Sequence, residues 1–194
     1  MNIGFFGITA NPPHAGHVDA AVQALAFVDE VWVSVAYSHA FNKPNLISYE
    51  HRAQLTELVF ENMLWGELGQ RVKIKELDKQ YFEHTQIAPV YTYNLMKWLE
   101  SSYAQHEFTI FFGSDVQQNL PKYYKATQLI AQWPVRFLTQ NSAYHSSDVR
   151  ALLGGFSAQQ TQGPQPQLQD PRLLQLLGPR ALNYIVDHGL YRAV

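Results

Sequence analysis

Cysteine is absent from the 194 residues, which excludes a disulfide framework, a cysteine zinc site and a thiol nucleophile. A metal would have to be held by oxygen or histidine ligands. No apolar run approaches the roughly 18 residues of a membrane-spanning helix, and no basic segment precedes the short apolar run near Met1. Charge is sparse and balanced. With 14 basic and 16 acidic residues the net charge is -2, so the basic surface that a nucleic-acid polymer requires is missing. These absences predict a cytoplasmic protein that binds neither membrane nor polymer. What is present is apolar material, 46% hydrophobic and 13% aromatic residues, enough for one sizeable core. The chain is therefore expected to form a single domain over residues 1–194, able to self-associate as a homo-oligomer.

Apolar runs of strand type alternate with helical spacing. Strands are predicted at Asn2–Ile8, Glu30–Ala36, Val72–Leu77, Phe108–Phe112 and Val135–Leu138. Helices are predicted from Ala15 to Phe27 or Val28, and at Tyr49–Asn62, Thr92–Ser101, Gln117–Ala131, Ser147–Leu153 and Arg180–His188. This alternation implies an α/β, doubly wound, mostly parallel sheet of five or six strands with helices on both faces. In such sheets ligands bind beyond the carboxyl ends of the strands. Attention falls on the loops after Ile8, Ala36, Phe112 and Leu138. Residues 155–171 read as a mobile loop, because 158–171 hold six glutamines and three prolines, and a helical segment follows at 172–194.

The sharpest motif, Gly7-Ile-Thr-Ala-Asn-Pro-Pro-His14-Ala-Gly16-His17, sits where the first strand yields to the first helix. Gly16 leaves the backbone open to a phosphate, and the helix start presents free N–H groups and the positive end of its dipole. Two histidines there can donate to phosphate oxygens as charge grows on phosphorus during displacement. A histidine at such a position can also merely cap its helix. A second such place is Ser146-Ser147-Asp-Val-Arg150, where two hydroxyls and a guanidinium meet at another helix start. A serine cap beside a solvated arginine is the plainer reading of the same residues. Asp115 follows an apolar strand, where its carboxylate can accept from ribose hydroxyls or cap a turn. Tyr123 and Tyr124 can offer a ring face or simply pack. Lys43 follows the second strand and can meet a phosphate. The remaining histidines and the four tryptophans show no ligand spacing.

The run Ile3–His17 resembles the opening signature of the nucleotidyltransferase superfamily, and within it the nicotinate/nicotinamide mononucleotide adenylyltransferases. Later segments are similar to that branch in the same order: Ser48–Arg52, Val90-Tyr91-Thr92, Phe112–Asp115, Leu120–Tyr124, Tyr144–Arg150 and Tyr184–Tyr191. Ile8, Ala10 and Asn11 depart from its usual glycine, phenylalanine and aspartate, and Tyr123 replaces a tryptophan.

The resemblance implies a Rossmann-like enzyme of NAD biosynthesis that joins nicotinic acid mononucleotide, or its amide, to the AMP moiety of ATP with release of pyrophosphate. It implies that His14, His17, Arg150 and Lys43 are catalytic. ATP would be held by Gly7, Ile8, Thr9, His14, Gly16, His17, Asp115, Ser146, Ser147 and Arg150. The mononucleotide would meet Lys43, Tyr91, Thr92, Tyr123 and Tyr124. Mg²⁺ would arrive on ATP, with no protein side chain as ligand. Other outcomes compatible with the motifs are a different H-x-G-H transferase, such as a phosphopantetheine adenylyltransferase, and an ATP-binding sensor without catalysis.

Overall fold

A computed structural model describes residues 1–38, 45–139, 144–155 and 166–192. Five strands, β1 (Asn2–Ile8), β2 (Glu30–Val35), β3 (Val72–Lys75), β4 (Glu107–Gly113) and β5 (Val135–Leu138), form one sheet in the order β3-β2-β1-β4-β5. Every neighbouring pair is parallel. The chain starts in the middle, winds outward through β2 and β3, then returns to the other side of β1 for β4. The order therefore reverses between β1 and β4, which is where a doubly wound sheet opens a crevice at its carboxyl edge.

Alternation of side chains across the pleat divides the core in two. On one face Phe6, Ile8, Val31, Val33 and Val35 pack against α1 (Ala15–Ala24), α2 (Tyr49–Met63), α7 (Ser146–Gly154), α8 (Pro171–Leu177) and α9 (Pro179–Asp187). On the other, Ile3, Phe5, Trp32, Ile110 and Phe112 pack against α4 (Leu77–Thr85), α5 (Thr92–Ser102) and α6 (Ala126–Gln132). The doubly wound architecture expected from the alternation is the one observed.

Boundaries differ where local chemistry intervenes. The third strand ends at Lys75, two residues early, because Leu77 turns inward as the first buried residue of α4. The single helix expected over Gln117–Ala131 is two short 3₁₀ turns, Ser114–Val116 and Leu120–Lys122, followed by α6. Pro121 cannot donate within a continuing helix, and Lys125 takes a left-handed φ of 53° before α6 begins. Helix α1 stops at Ala24 rather than Phe27 or Val28, α3 (Gly66–Arg71) and α4 appear where no helix was expected, and the helical segment expected at 172–194 is two helices, α8 and α9. Of the expected loop at 155–171, residues 156–165 lie outside the described residues, while 166–169 form a 3₁₀ turn. Asp170 then caps α8 by accepting the Arg172 and Leu173 N–H groups.

No helix among the described residues is long and apolar enough to cross a membrane.

Candidate active site

The loop between β1 and α1 is held from three sides. Its anchor is Arg52, 1% exposed and placed by α2 beneath the sheet edge. Its Nη1 donates to the Thr9 and Ala36 carbonyls, both at 2.8 Å, and its Nε donates to the Ile47 carbonyl at 3.1 Å. One guanidinium thus joins the ends of β1 and β2 to the segment entering α2, a task that its planar fork of donors suits. Burial lowers its pKa from the usual arginine range, an effect opposed by Tyr191, Tyr49 and Asp78. Asn11 supplies the second tie. Its side chain donates to the Asn45 carbonyl at 3.0 Å and accepts the Ile47 N–H at 3.5 Å. An aspartate could accept but not donate here, which gives the departure from the family's common residue a structural reason.

The third tie comes from α7. Ser146 Oγ donates to the Pro12 carbonyl at 2.9 Å, and Arg150 Nη1 donates to the Asn11 carbonyl. The two helix starts singled out in the sequence therefore meet at one loop, although 139 residues separate Arg150 from Asn11. Ser147 is exposed on the first turn of α7.

The histidines of α1 are locked by the backbone. His14 caps the helix and its Nδ1 accepts the Gly16 N–H at 3.1 Å, while the His14 N–H donates to His17 Nδ1 at 3.2 Å. A backbone N–H can only donate, so both neutral imidazoles carry their proton on Nε2. The rings lie 4.2 Å apart between centroids. His14 is 3% exposed, and burial, reinforced by the charge of His145, lowers its pKa from 6.5 to about 4, while Asp148 acts in the opposite sense. His14 is thus neutral near pH 7 and presents an N–H rather than a full charge.

Beside this loop a cleft opens among the carboxyl ends of β1, β2 and β4. Gly7, Ile8 and Thr9 line it together with Thr92 and Tyr123. Two further lining residues are joined by the Val90 N–H, which donates to the Ser38 carbonyl at 3.3 Å. Gly7 keeps the floor open, since a Cβ there would approach the Phe5 ring at 3.3 Å.

Not every expected residue lines the cleft. Tyr124 is 42% exposed and stacks on Tyr91, with centroids 4.6 Å apart. Tyr123 instead packs edge-on against Phe112, and burial together with Asp115 raises its phenol pKa. Asp115 is exposed just past β4 and folds over Gly113, where a Cβ would lie 2.6 Å from Oδ1. Lys43 lies outside the described residues.

Two residues missed by the sequence reading stand out. Arg52 lies in the Ser48–Arg52 segment, where the sequence alone assigns it no role. Asp78, at the start of α4, is 6% exposed, bonds Ser34 of β2 and lines the cleft together with Ser38. No spacing signal marked Asp78, because its contacts cross from α4 to β2.

With this geometry in view, the relatives narrow the reading. A family model described as cytidylyltransferase-like matches residues 5–152. The chain belongs to the cytidylyltransferase-like family. That span runs from the middle of β1 through most of α7 and thus contains both helix starts. A protein of Chlorobium phaeobacteroides named "Probable nicotinate-nucleotide adenylyltransferase" is 26% identical over 204 residues, covering 99% of this chain and 100% of its own. The nicotinate-nucleotide adenylyltransferase of Bacillus subtilis is 27% identical over 132 residues, which cover 66% of this chain and 64% of that protein. The fold also matches the solved nicotinic acid mononucleotide adenylyltransferase of Plasmodium falciparum, with a TM-score of 0.73 at 16% identity over 98% of this chain and 97% of that one. The family's members are nucleotidyltransferases, and so is this enzyme.

Proposed function

We propose that the enzyme transfers the adenylyl group of ATP to a pyridine mononucleotide, nicotinic acid mononucleotide or its amide, releasing pyrophosphate. The observation that carries this reading is the meeting of two helix N-termini, those of α1 and α7, at one loop beside a cleft floored by Phe5 and Phe112. The helix ends and His14, His17 and Arg150 suit a triphosphate, and the cleft suits a flat ring. The names of the relatives agree with it.

The acceptor's 5′-phosphate oxygen attacks the α-phosphorus in line. A new P–O bond forms as the bond to the bridging oxygen of pyrophosphate breaks, and no covalent enzyme intermediate is needed. The acceptor is already an anion, so the protein's task is alignment and offset of repulsion. Nε2–H of His14 and His17 donates to α- and β-phosphate oxygens, where charge grows in the transition state. Ser146, Ser147 and Arg150 hold the β- and γ-phosphates, with Lys43 as a supporting charge. Backbone groups from Gly7 to Thr9 and at Gly16 seat ATP, and Asp115 takes a ribose hydroxyl. Thr92 and Tyr123 line the ring site, with the Tyr91–Tyr124 stack behind them.

Mg²⁺ carried by ATP would offset charge on the departing pyrophosphate. Among the described residues no group of three or more His, Asp or Glu side chains is placed to hold a metal ion.

The test is pyrophosphate release from Mg-ATP with nicotinic acid mononucleotide, nicotinamide mononucleotide and phosphopantetheine supplied separately. Turnover with a pyridine nucleotide supports the reading. Turnover with phosphopantetheine alone, or ATP binding without turnover, overturns it.

A further inference from the structure

Both helix starts of the site are capped by a histidine. His14 caps α1 and His145 caps α7. Their surroundings differ, since His14 is 3% exposed whereas His145 lies exposed at the mouth of its helix. A capping box closes the first turn of α7, in which the His145 N–H donates to the Asp148 carboxylate at 2.7 Å. The next residue, Ser146, donates to the Pro12 carbonyl at 2.9 Å. Consecutive Cα atoms lie about 3.8 Å apart, so this bond draws His145 alongside the segment from Pro12 to His14.

The electrostatics agree with that proximity. A charge on His145 disfavours charge on His14, and the Asp148 carboxylate acts in the opposite sense. His14, His17, His145 and Arg150 therefore gather at two helix ends that are themselves partly positive, with Asp148 as the carboxylate of the same turn. Asp148 already accepts the His145 N–H at the positive end of α7, which offsets part of its charge. Groups of one sign so collected oppose one another, and a polyanion placed between them relieves the repulsion.

We infer that His145 is a further triphosphate-binding residue, whose imidazole N–H donates to a β- or γ-phosphate oxygen beside Ser146 and Arg150. The inference rests on the phosphate assignment proposed above and extends it to a residue that no ligand spacing marked in the sequence. Exposure suits the role: a ring at the surface of the helix mouth turns toward a ligand without opening the core, whereas His14 is fixed beneath it. Imidazole offers one donor when neutral and two when charged. A hydrogen bond from such a group to phosphate contributes about ten-fold in affinity.

The competing role for His145 is that of a cap alone, and the experiment separates the two. Asparagine is among the strongest helix caps, so His145→Asn keeps the cap while removing the imidazole. Calorimetry with Mg-ATP and with AMP, which has no β- or γ-phosphate, is compared between this variant and the wild type. The dissociation constant for Mg-ATP is expected to rise about ten-fold in His145→Asn, with AMP affinity and thermal midpoint unchanged. Unchanged Mg-ATP affinity overturns the inference, as does equal weakening of Mg-ATP and AMP. A loss of Mg-ATP affinity seen only in His145→Ala, together with a lowered midpoint, assigns His145 to the cap and overturns it as well. Pyrophosphate release by the wild type, measured alongside, distinguishes this failure from that of the proposed function: an active wild type with unaltered affinity in His145→Asn leaves adenylyl transfer standing. A wild type that binds no Mg-ATP overturns both.

Discussion

The His14 N–H points at Nδ1 of His17, 3.2 Å away, while the Nδ1 of His14 itself accepts from Gly16. Each imidazole is thereby fixed as the Nε2–H tautomer by a main-chain group that cannot reverse its role. The backbone of one helix turn thus orients both side-chain donors before any ligand arrives, and in the proposed reaction donors already aimed would need no reorganisation.

Removing one of these donors tests that arrangement. His17→Ala is expected to lower kcat about 10²-fold or more, with a smaller change in ATP affinity, if its N–H strengthens toward the transition state. Steady-state turnover and nucleotide titration separate the two quantities. Normal turnover would remove His17 from the mechanism.

Arg150 is expected to act on both substrate and loop, since it reaches the Asn11 carbonyl as well as the proposed phosphate site. Arg150→Ala should lower kcat/KM for ATP by about 10²-fold, whereas Ser146→Ala, which loses a neutral hydroxyl, should cost about ten-fold. Equal losses from the two would argue against a charge-based role for Arg150.

Arg52 is expected to matter for folding more than for chemistry. Arg52→Met leaves the Thr9, Ala36 and Ile47 carbonyls without their donor and should destabilise the protein by about 3 to 5 kcal/mol. Arg52→Lys should recover only part of this, because an ammonium cannot reproduce the guanidinium fork. Urea unfolding gives the values, and a wild-type midpoint for Arg52→Met would show that the ties are dispensable.

Two buried groups oppose each other in their effect on acid stability. Asp78 has a folded pKa raised from 3.8 to about 6, so the native state holds the extra proton in that window and stability falls as pH rises through it. His14 has a folded pKa lowered from 6.5 to about 4, so the unfolded state holds the extra proton and stability rises with pH across that window. Each effect is worth about 3 kcal/mol at 1.36 kcal/mol per pKa unit. Between pH 4 and 6 the two slopes nearly cancel. Asp78→Asn should therefore turn this flat dependence into a rise of unfolding free energy with pH, and His14→Gln should turn it into a fall. Urea titrations at several pH values in that range check both signs.

The helix-start motifs were legible because their meaning is local. Gly7 to His17 contains its own strand end, turn and cap, and Ser146 to Arg150 its own first turn, so spacing alone located two phosphate-suited helix ends. The strands were legible for the same reason, through the apolar runs of β1, β2 and β4. Helix α4 was not, because Leu77, Asp78 and Tyr81 declare an inward face only once Trp32 and Ser34 of β2 are beneath them. The break before α6 depended on Pro121 and Lys125 rather than on hydrophobic period.

Local order in the chain thus determined the α/β alternation, the two histidines at one helix start and the serine-arginine pair at another. Only the tertiary structure decided that these two starts share a loop, that Asn11 bridges to Asn45, and that Arg52 gathers three carbonyls from separate segments. Tertiary structure also placed Asp78 in the wall of the cleft and turned Tyr124 away onto Tyr91. The physical reason is range: caps and turns are settled by bonds within a few residues, whereas Ser34 to Asp78 spans 44 positions and Asn11 to Arg150 spans 139, distances that only the winding of the sheet can close.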